Sequence, residues 1–187
     1  MNEKRKIYGA LIHHPVKNKE GLEITSAVTN LDIHDLARLA RTYGLEAMFI
    51  ITPDENQKNL AQKIIRHWVE GYGASYNEDR KEALELIKIV DSIEKMLEDI
   101  VLSGKEKPLL VSTSASRIKN SITYGKMRDV MSLSEKDTVF LFGTSWGLSD
   151  RVLLQSDYVL EPIDLNKGYN HLSVRSAASI VLDRLLN

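Results

Sequence analysis

Ala47-Met-Phe-Ile-Ile51 constrains the fold of this chain most. This uninterrupted apolar run, closed by Thr52-Pro53, reads as a strand covered on both faces, as strands are in a parallel sheet. The flanking segments fit such a sheet. Ile7-Tyr-Gly-Ala-Leu-Ile12 reads as the first strand and stops at His13-His-Pro15, where proline restricts its neighbour. After a polar, irregular segment from Lys17 to Thr29, Leu36, Leu39, Ala40 and Tyr43 recur at i, i+3, i+4 and i+7. That spacing predicts an amphipathic helix with Asn30 or Asp32 as its cap and Gly44 as its stop, which completes a βαβ unit.

The alternation continues. A second helix is expected from Asp54 to about Glu70, with Leu60, Ala61, Ile64, Ile65 and Trp68 on one face. Gly71 to Tyr76 has room for a short edge strand. From Asn77 or Asp79 to Ser103, Ala83, Leu86, Ile87, Val90, Ile93, Leu97, Ile100 and Val101 keep the helical period, which predicts one long helical region bent near Asp91-Ser92 and ended by Gly104. Strands are expected at Pro108–Ser112, Thr138–Phe142 and Tyr158–Leu160, with a short helix from about Tyr124 to Ser132. The closing helix carries Val174, Ala177, Ala178, Val181, Leu182 and Leu185 on one face. The expected fold class is α/β, a mostly parallel sheet of five or six strands between helices, in one domain over residues 1–187.

Composition narrows the functional classes. At 187 residues, 43% hydrophobic and 27% charged, the chain can fill one globular core. No run is long and apolar enough to span a membrane, and Met1 to Lys6 leads into a strand rather than a secretory segment, so a cytoplasmic protein is expected. The absence of cysteine excludes disulfides, a thiolate nucleophile and a Cys-type zinc site. His13, His14 and His34 have no carboxylate partner at ligand spacing, so no metal is expected. A formal net charge of −1 means that any nucleic acid must be met by a local basic patch.

Ligands of open α/β sheets bind outside the carboxyl ends of the strands, where three loops qualify: Ser112 to Ser116, Gly143 to Leu148 and Glu161 to Leu172. Gly143 and Gly147 bracket a turn in which a backbone can approach a ligand closely. A Gly-x-x-x-x-Gly-Lys-Ser/Thr nucleotide loop is absent from the chain.

Taken in order, the strand, the Gly143-Thr-Ser-Trp-Gly147-Leu148 loop, the short strand, the Pro162-Ile163 loop and the His171-Leu-Ser-Val-Arg-Ser-Ala177 helix resemble the SPOUT superfamily of RNA methyltransferases. Gly143 to Val152 is similar to the Gly-x-x-x-Gly-Val-Asp-Glu-Arg-Val motif of its tRNA guanine-N(1) branch. His171 to Ala177 is similar to the Ser-Leu-Asn-Val-Ser-x-Ala motif of its ribose 2′-O branch, with Ser173 in place of the Asn and Arg175 in place of the second Ser.

The resemblance implies a C-terminal trefoil knot over about residues 108–187, a homodimer, S-adenosylmethionine as cofactor and tRNA or rRNA as substrate. It implies cofactor binding by Ser112, Thr113, Ser114, Phe142, Gly143, Thr144, Gly147, Leu160, Pro162, Ile163, Leu172 and Val174, with Leu141 as a further wall of the adenine slot. Arg38 precedes Thr42-Tyr-Gly44 with the spacing of the ribose branch's Arg-Thr-Ala-x-x-x-Gly, whose arginine activates the acceptor hydroxyl. The Asn-x-Gly upstream of that arginine is here Asp32-Ile-His34. Arg38 and Arg175 are therefore the catalytic candidates, with Arg175 able to clamp a phosphate or to cap a carboxylate. Arg38 on a solvated helix face beside Arg41 is the plainer reading of the same residue. Asp150 and Arg151 are expected to fix the loop and a subunit contact. The expected function is methylation of a ribose 2′-O or a base in tRNA or rRNA, and the alternative is a non-catalytic module of the same fold that binds cofactor or RNA.

Overall fold

The computed structural model describes residues 5–102 and 106–187. Its elements are β1 (Ile7–Ile12), β2 (Val16–Lys17), β3 (Glu23–Ile24), α1 (Asn30–Thr42), β4 (Ala47–Ile51), α2 (Glu55–Val69), α3 (Tyr72–Tyr76), α4 (Glu78–Leu84), β5 (Ile87–Val90), α5 (Ile93–Leu102), β6 (Leu109–Ser112), α6 (Tyr124–Leu133), β7 (Thr138–Gly143), α7 (Asp150–Gln155), β8 (Tyr158–Val159) and α8 (Val174–Leu186). Six strands pair in the order β5-β4-β1-β7-β6-β8. Every pairing in this sheet is parallel.

Because side chains alternate along a strand, each central strand feeds two cores. Leu11, Met48, Ile50, Phe140 and Phe142 face one side with residues of α1, α4, α6 and α8. Tyr8, Ile12, Phe49, Val139 and Leu141 face the other with α5 and α7. This double burial explains the uninterrupted apolar runs. Among the described residues no helix is long and apolar enough to cross a membrane.

The structure corrects several expected elements. The long helix after Asn77 is α4, β5 and α5, with Ser103 and Gly104 outside the described residues. Ala83, Leu86, Ile87 and Val90 do keep helical spacing, but Ile87 to Val90 pair with Met48 to Ile51 of β4. The β-branched residues satisfy the exposed edge of β4, and that non-local demand outweighs the local period. Gly71 to Tyr76 contains the helix α3 instead of an edge strand. The cap of α1 is Thr29, whose side chain accepts from the Asp32 amide, so Asp32 is released to point inward and is buried. The segment after Lys17 holds the hairpin strand β3, which pairs antiparallel with β2.

Candidate active site

The chain leaves β1 toward β4 and later returns to place β7 on the other side of β1. A crevice is expected where the order reverses, outside the carboxyl ends of these two strands. The loops after β1 and β7 meet there. The Trp146 amide donates to the Lys17 carbonyl at 3.0 Å and the Lys17 amide to the Gly147 carbonyl at 2.8 Å, so β2 braces the glycine loop. Lys17 Nζ reaches Asp150 at 2.9 Å and Arg151 lies 3.5 Å from Glu23, which ties the start of α7 to the same hairpin. Asp150 and Arg151 thus hold the loop.

Gly143 is needed by the loop itself. A Cβ there would lie 2.7 Å from the Leu148 amide nitrogen and 3.1 Å from the Gly147 carbonyl carbon, backbone atoms that cannot swing aside. Gly147, with φ +100°, takes a conformation that disfavours a side chain. Leu148 is buried and Trp146 is exposed, so the apolar pair at this turn divides between core and surface.

A buried chain of polar groups joins the two loops. The Thr144 hydroxyl donates to the Ile12 carbonyl at 3.0 Å and shares a hydrogen bond with the Ser26 hydroxyl, which lies 3.0 Å from His13 Nδ1. His13 Nε2 is buried without a hydrogen-bond partner. Burial pushes the His13 pKa down to about 4, with the Asp32 charge opposing the shift. The imidazole is neutral, and among the described residues no group of three His, Cys, Asp or Glu is placed to hold a metal.

The third loop closes the crevice. Asn170 Nδ2 donates to the Ala115 carbonyl at 2.7 Å, and the Glu161 amide donates to the Ile122 carbonyl. The resulting cavity of about 980 Å³ is lined by Thr113, Ser114, Phe142, Gly143, Thr144, Gly147, Ile163, Leu172 and Val174, together with Ser26, Thr29 and Asp32. Three other candidates, Ser112, Leu160 and Pro162, do not line it. Ser112 is buried with its hydroxyl on Ser156, Leu160 belongs to the core and Pro162 is buried. Leu141 lies on the opposite face of the sheet from Phe142. Ser26, Thr29 and Asp32 were not anticipated as lining. The hydroxyl cluster Thr25, Ser26, Thr29 is the only hint the sequence carries in that irregular segment.

Beside this cavity, and sharing Ser173 with it, a groove of about 510 Å³ runs between α1 and α8. Arg38 and Arg175 both line it, so the structure brings the two catalytic candidates together. Their situations differ. Arg175 Nη1 is 2.7 Å from Asp32 and its Nε 3.1 Å from Asp35, so this arginine caps carboxylates. Arg38 is exposed and has no ion-pair partner among the described residues.

A parallel sheet with a glycine-loop cavity at its reversal point and an arginine groove beside it defines an α/β protein with its crevice at the topological switch point. The chain belongs to the family of SAM-dependent RNA methyltransferases, whose model matches residues 6–187. S-adenosylmethionine is the methyl donor of that family. The chain is 43% identical over 182 residues to the tRNA (guanine-N(1)-)-methyltransferase of Oleidesulfovibrio alaskensis, covering 97% of this chain and 42% of that protein. It therefore spans less than half the length of that relative. It is 34% identical over 181 residues to an uncharacterized protein of Aquifex aeolicus, covering 97% of this chain and 88% of that one. Among solved structures, the TrmH/SpoU tRNA modifying enzyme of A. aeolicus superposes with a TM-score of 0.58 at 17% identity, over 99% of this chain and 76% of that one. The chain shares the fold of that TrmH/SpoU enzyme.

Proposed function

We propose that the chain methylates a nucleotide of tRNA in the cytoplasm, taking the methyl group from S-adenosylmethionine held in the cavity of the three loops. The donor set fits that ligand. Phe142, Ile163, Leu172 and Val174 supply apolar walls for an adenine, Thr113, Ser114 and Thr144 supply hydroxyls, and the carboxylate of Glu161 lines the same cavity and suits a cationic ligand. The bound cofactor supplies an electrophilic methyl on a sulfonium.

The acceptor assigned here is a ribose 2′-hydroxyl, and one observation carries that choice: Arg38 lies unpaired in the groove that adjoins the cavity at Ser173. Its planar, permanently charged fork can orient the hydroxyl and stabilise the negative charge that develops on oxygen as its proton passes to water, the O–C bond forms and the bond from the methyl to the sulfonium sulfur breaks. Arg175 acts through Asp32 and Asp35, keeping the cavity wall in shape. A second reading follows from the Oleidesulfovibrio relative's name, in which guanine N1 is the acceptor and the Asp32 carboxylate takes the ring proton. That name belongs to a protein more than twice as long as the matched stretch, so ribose leads.

The site works in a homodimer in this reading, with exposed Trp146 and Leu172 on the cavity lining as the apolar groups a second subunit covers. Incubating the protein with methyl-labelled cofactor and unmethylated tRNA, then digesting to nucleosides for mass spectrometry, tests the assignment. A labelled 2′-O-methylnucleoside is expected, and labelled 1-methylguanosine transfers the site to the second reading. Sedimentation of the same sample is expected to give a dimer.

A further inference from the structure

Beyond the groove, α1 leads to a cluster of aromatic and cationic side chains that the site above does not use. His34 lies one turn before Arg38 and meets Trp68 edge-on at 5.5 Å, and His67 meets the same ring at 5.2 Å. The Arg80 guanidinium lies over Trp68 at 4.6 Å. The His34 pKa is lowered by burial first and then by the charge of Arg80, with Asp35 opposing and Arg38 adding to the shift, so both arginines lie near this ring.

Trp68 also positions α3. A Cβ on Gly73 would lie 2.6 Å from Trp68 Cε3, so the glycine lets this short helix rest on the indole. The helix so anchored turns two tyrosines outward. Tyr72 and Tyr76 are 74% and 72% exposed and stack on one another with ring centroids 6.0 Å apart. Aromatic pairs one turn apart do steady helices, yet α3 is already held by its packing on Trp68, and two such rings left in water need an occupant. The charges nearby select it. Arg38 and Arg80 have no ion-pair partner among the described residues, while Glu78 and Asp79 sit in the first turn of α4, where the helix dipole suits them.

We infer that the face of α3 is an RNA-docking surface, on which Tyr72 and Tyr76 stack unpaired bases while Arg80 and Arg38 meet the phosphates leading to the groove. Aromatic rings flanked by unpaired arginines are the chemistry of single-stranded nucleic-acid recognition, and a chain of net charge −1 must bind RNA through such a local patch. This inference rests on the reading of the substrate as tRNA.

The test is binding of unfractionated tRNA to the whole protein. Tyr72→Ala/Tyr76→Ala is expected to weaken tRNA affinity by about tenfold or more, with unchanged calorimetric binding of S-adenosylmethionine. Tyr72→Phe/Tyr76→Phe is expected to bind as the wild type, because the rings still stack. Tyr72→Leu/Tyr76→Leu keeps an apolar pair on the helix and is expected to fail as the alanine variant does, which separates base stacking from helix support. If the alanine and leucine variants bind tRNA like the wild type, the docking surface is refuted and the methyltransferase reading stands. If the wild type binds no tRNA, the substrate reading falls and takes the surface with it. A dimer that becomes a monomer in the alanine variant also overturns the inference, because the face is then a subunit contact.

Discussion

The cavity behind Gly143 and the groove between α1 and α8 share Ser173 and are built on opposite principles. The cavity is shaped by backbone: a glycine that leaves no room for a side chain, a hairpin that braces the loop through amide and carbonyl groups, and hydroxyls linked to His13. The groove is shaped by charge, with one arginine held between two carboxylates and another left unpaired. The contrast assigns tasks. Fixed backbone suits a cofactor of constant shape, whereas a mixture of pinned and unpinned charges suits a step in which charge develops on the acceptor.

The strongest way to break the comparison is Gly143→Val. With a Cβ 2.7 Å from the Leu148 nitrogen, the loop must shift, and calorimetry at millimolar S-adenosylmethionine is expected to show no binding while circular dichroism retains the wild-type fold. Persistent binding would mean that the loop does not shape the cavity. The groove is tested next by Arg38→Ala, for which kcat on tRNA is expected to fall about a hundredfold with cofactor affinity intact. Arg38→Lys is not expected to rescue it, since charge is kept and the planar fork is lost. Wild-type turnover in both variants would return Arg38 to the solvated helix face.

Asp32→Asn sharpens the comparison at the wall between the two spaces. It leaves Arg175 with Asp35 alone, and thermal denaturation is expected to report a loss of about 2 kcal/mol, at the lower side for a buried pair because Arg175 is partly open to water. The smallest effect is that of pH on the cavity's polar chain. His13 has a folded pKa depressed to about 4, so its contribution to stability is full above its unfolded value near 6.5 and is lost as pH falls toward 4. Between pH 7 and 5.5 that amounts to about 1 kcal/mol, expected as a difference between the wild type and His13→Gln in urea melts.

The sheet and most of its helices were legible because their signals are local. Ala47 to Ile51 announces double burial, and the period of Val174 to Leu185 announces one buried stripe. The glycine loop was legible through the ordered resemblance around Gly143, although the reason for that glycine differs: the space of its missing side chain is filled by the loop's own backbone and not by an approaching ligand. β5 was illegible because Ile87 to Val90 satisfies a helical period as well as a strand, and only the unpaired edge of β4 decides between them.

The groove marks the limit most clearly. In the sequence, Asp32 and Arg175 are two separate departures from the ribose-branch motifs, 143 positions apart. In the fold they are one ion pair, the carboxylate facing the guanidinium at 2.7 Å. The sequence alone determined that strands, helices and a glycine loop would form, since propensity and periodicity act over a few neighbouring residues. Tertiary structure alone decided which charges meet, which arginine is left unpaired and which hydroxyls line the cavity, because those outcomes depend on distances that only the packing of α1 against α8 and of β1 beside β7 creates.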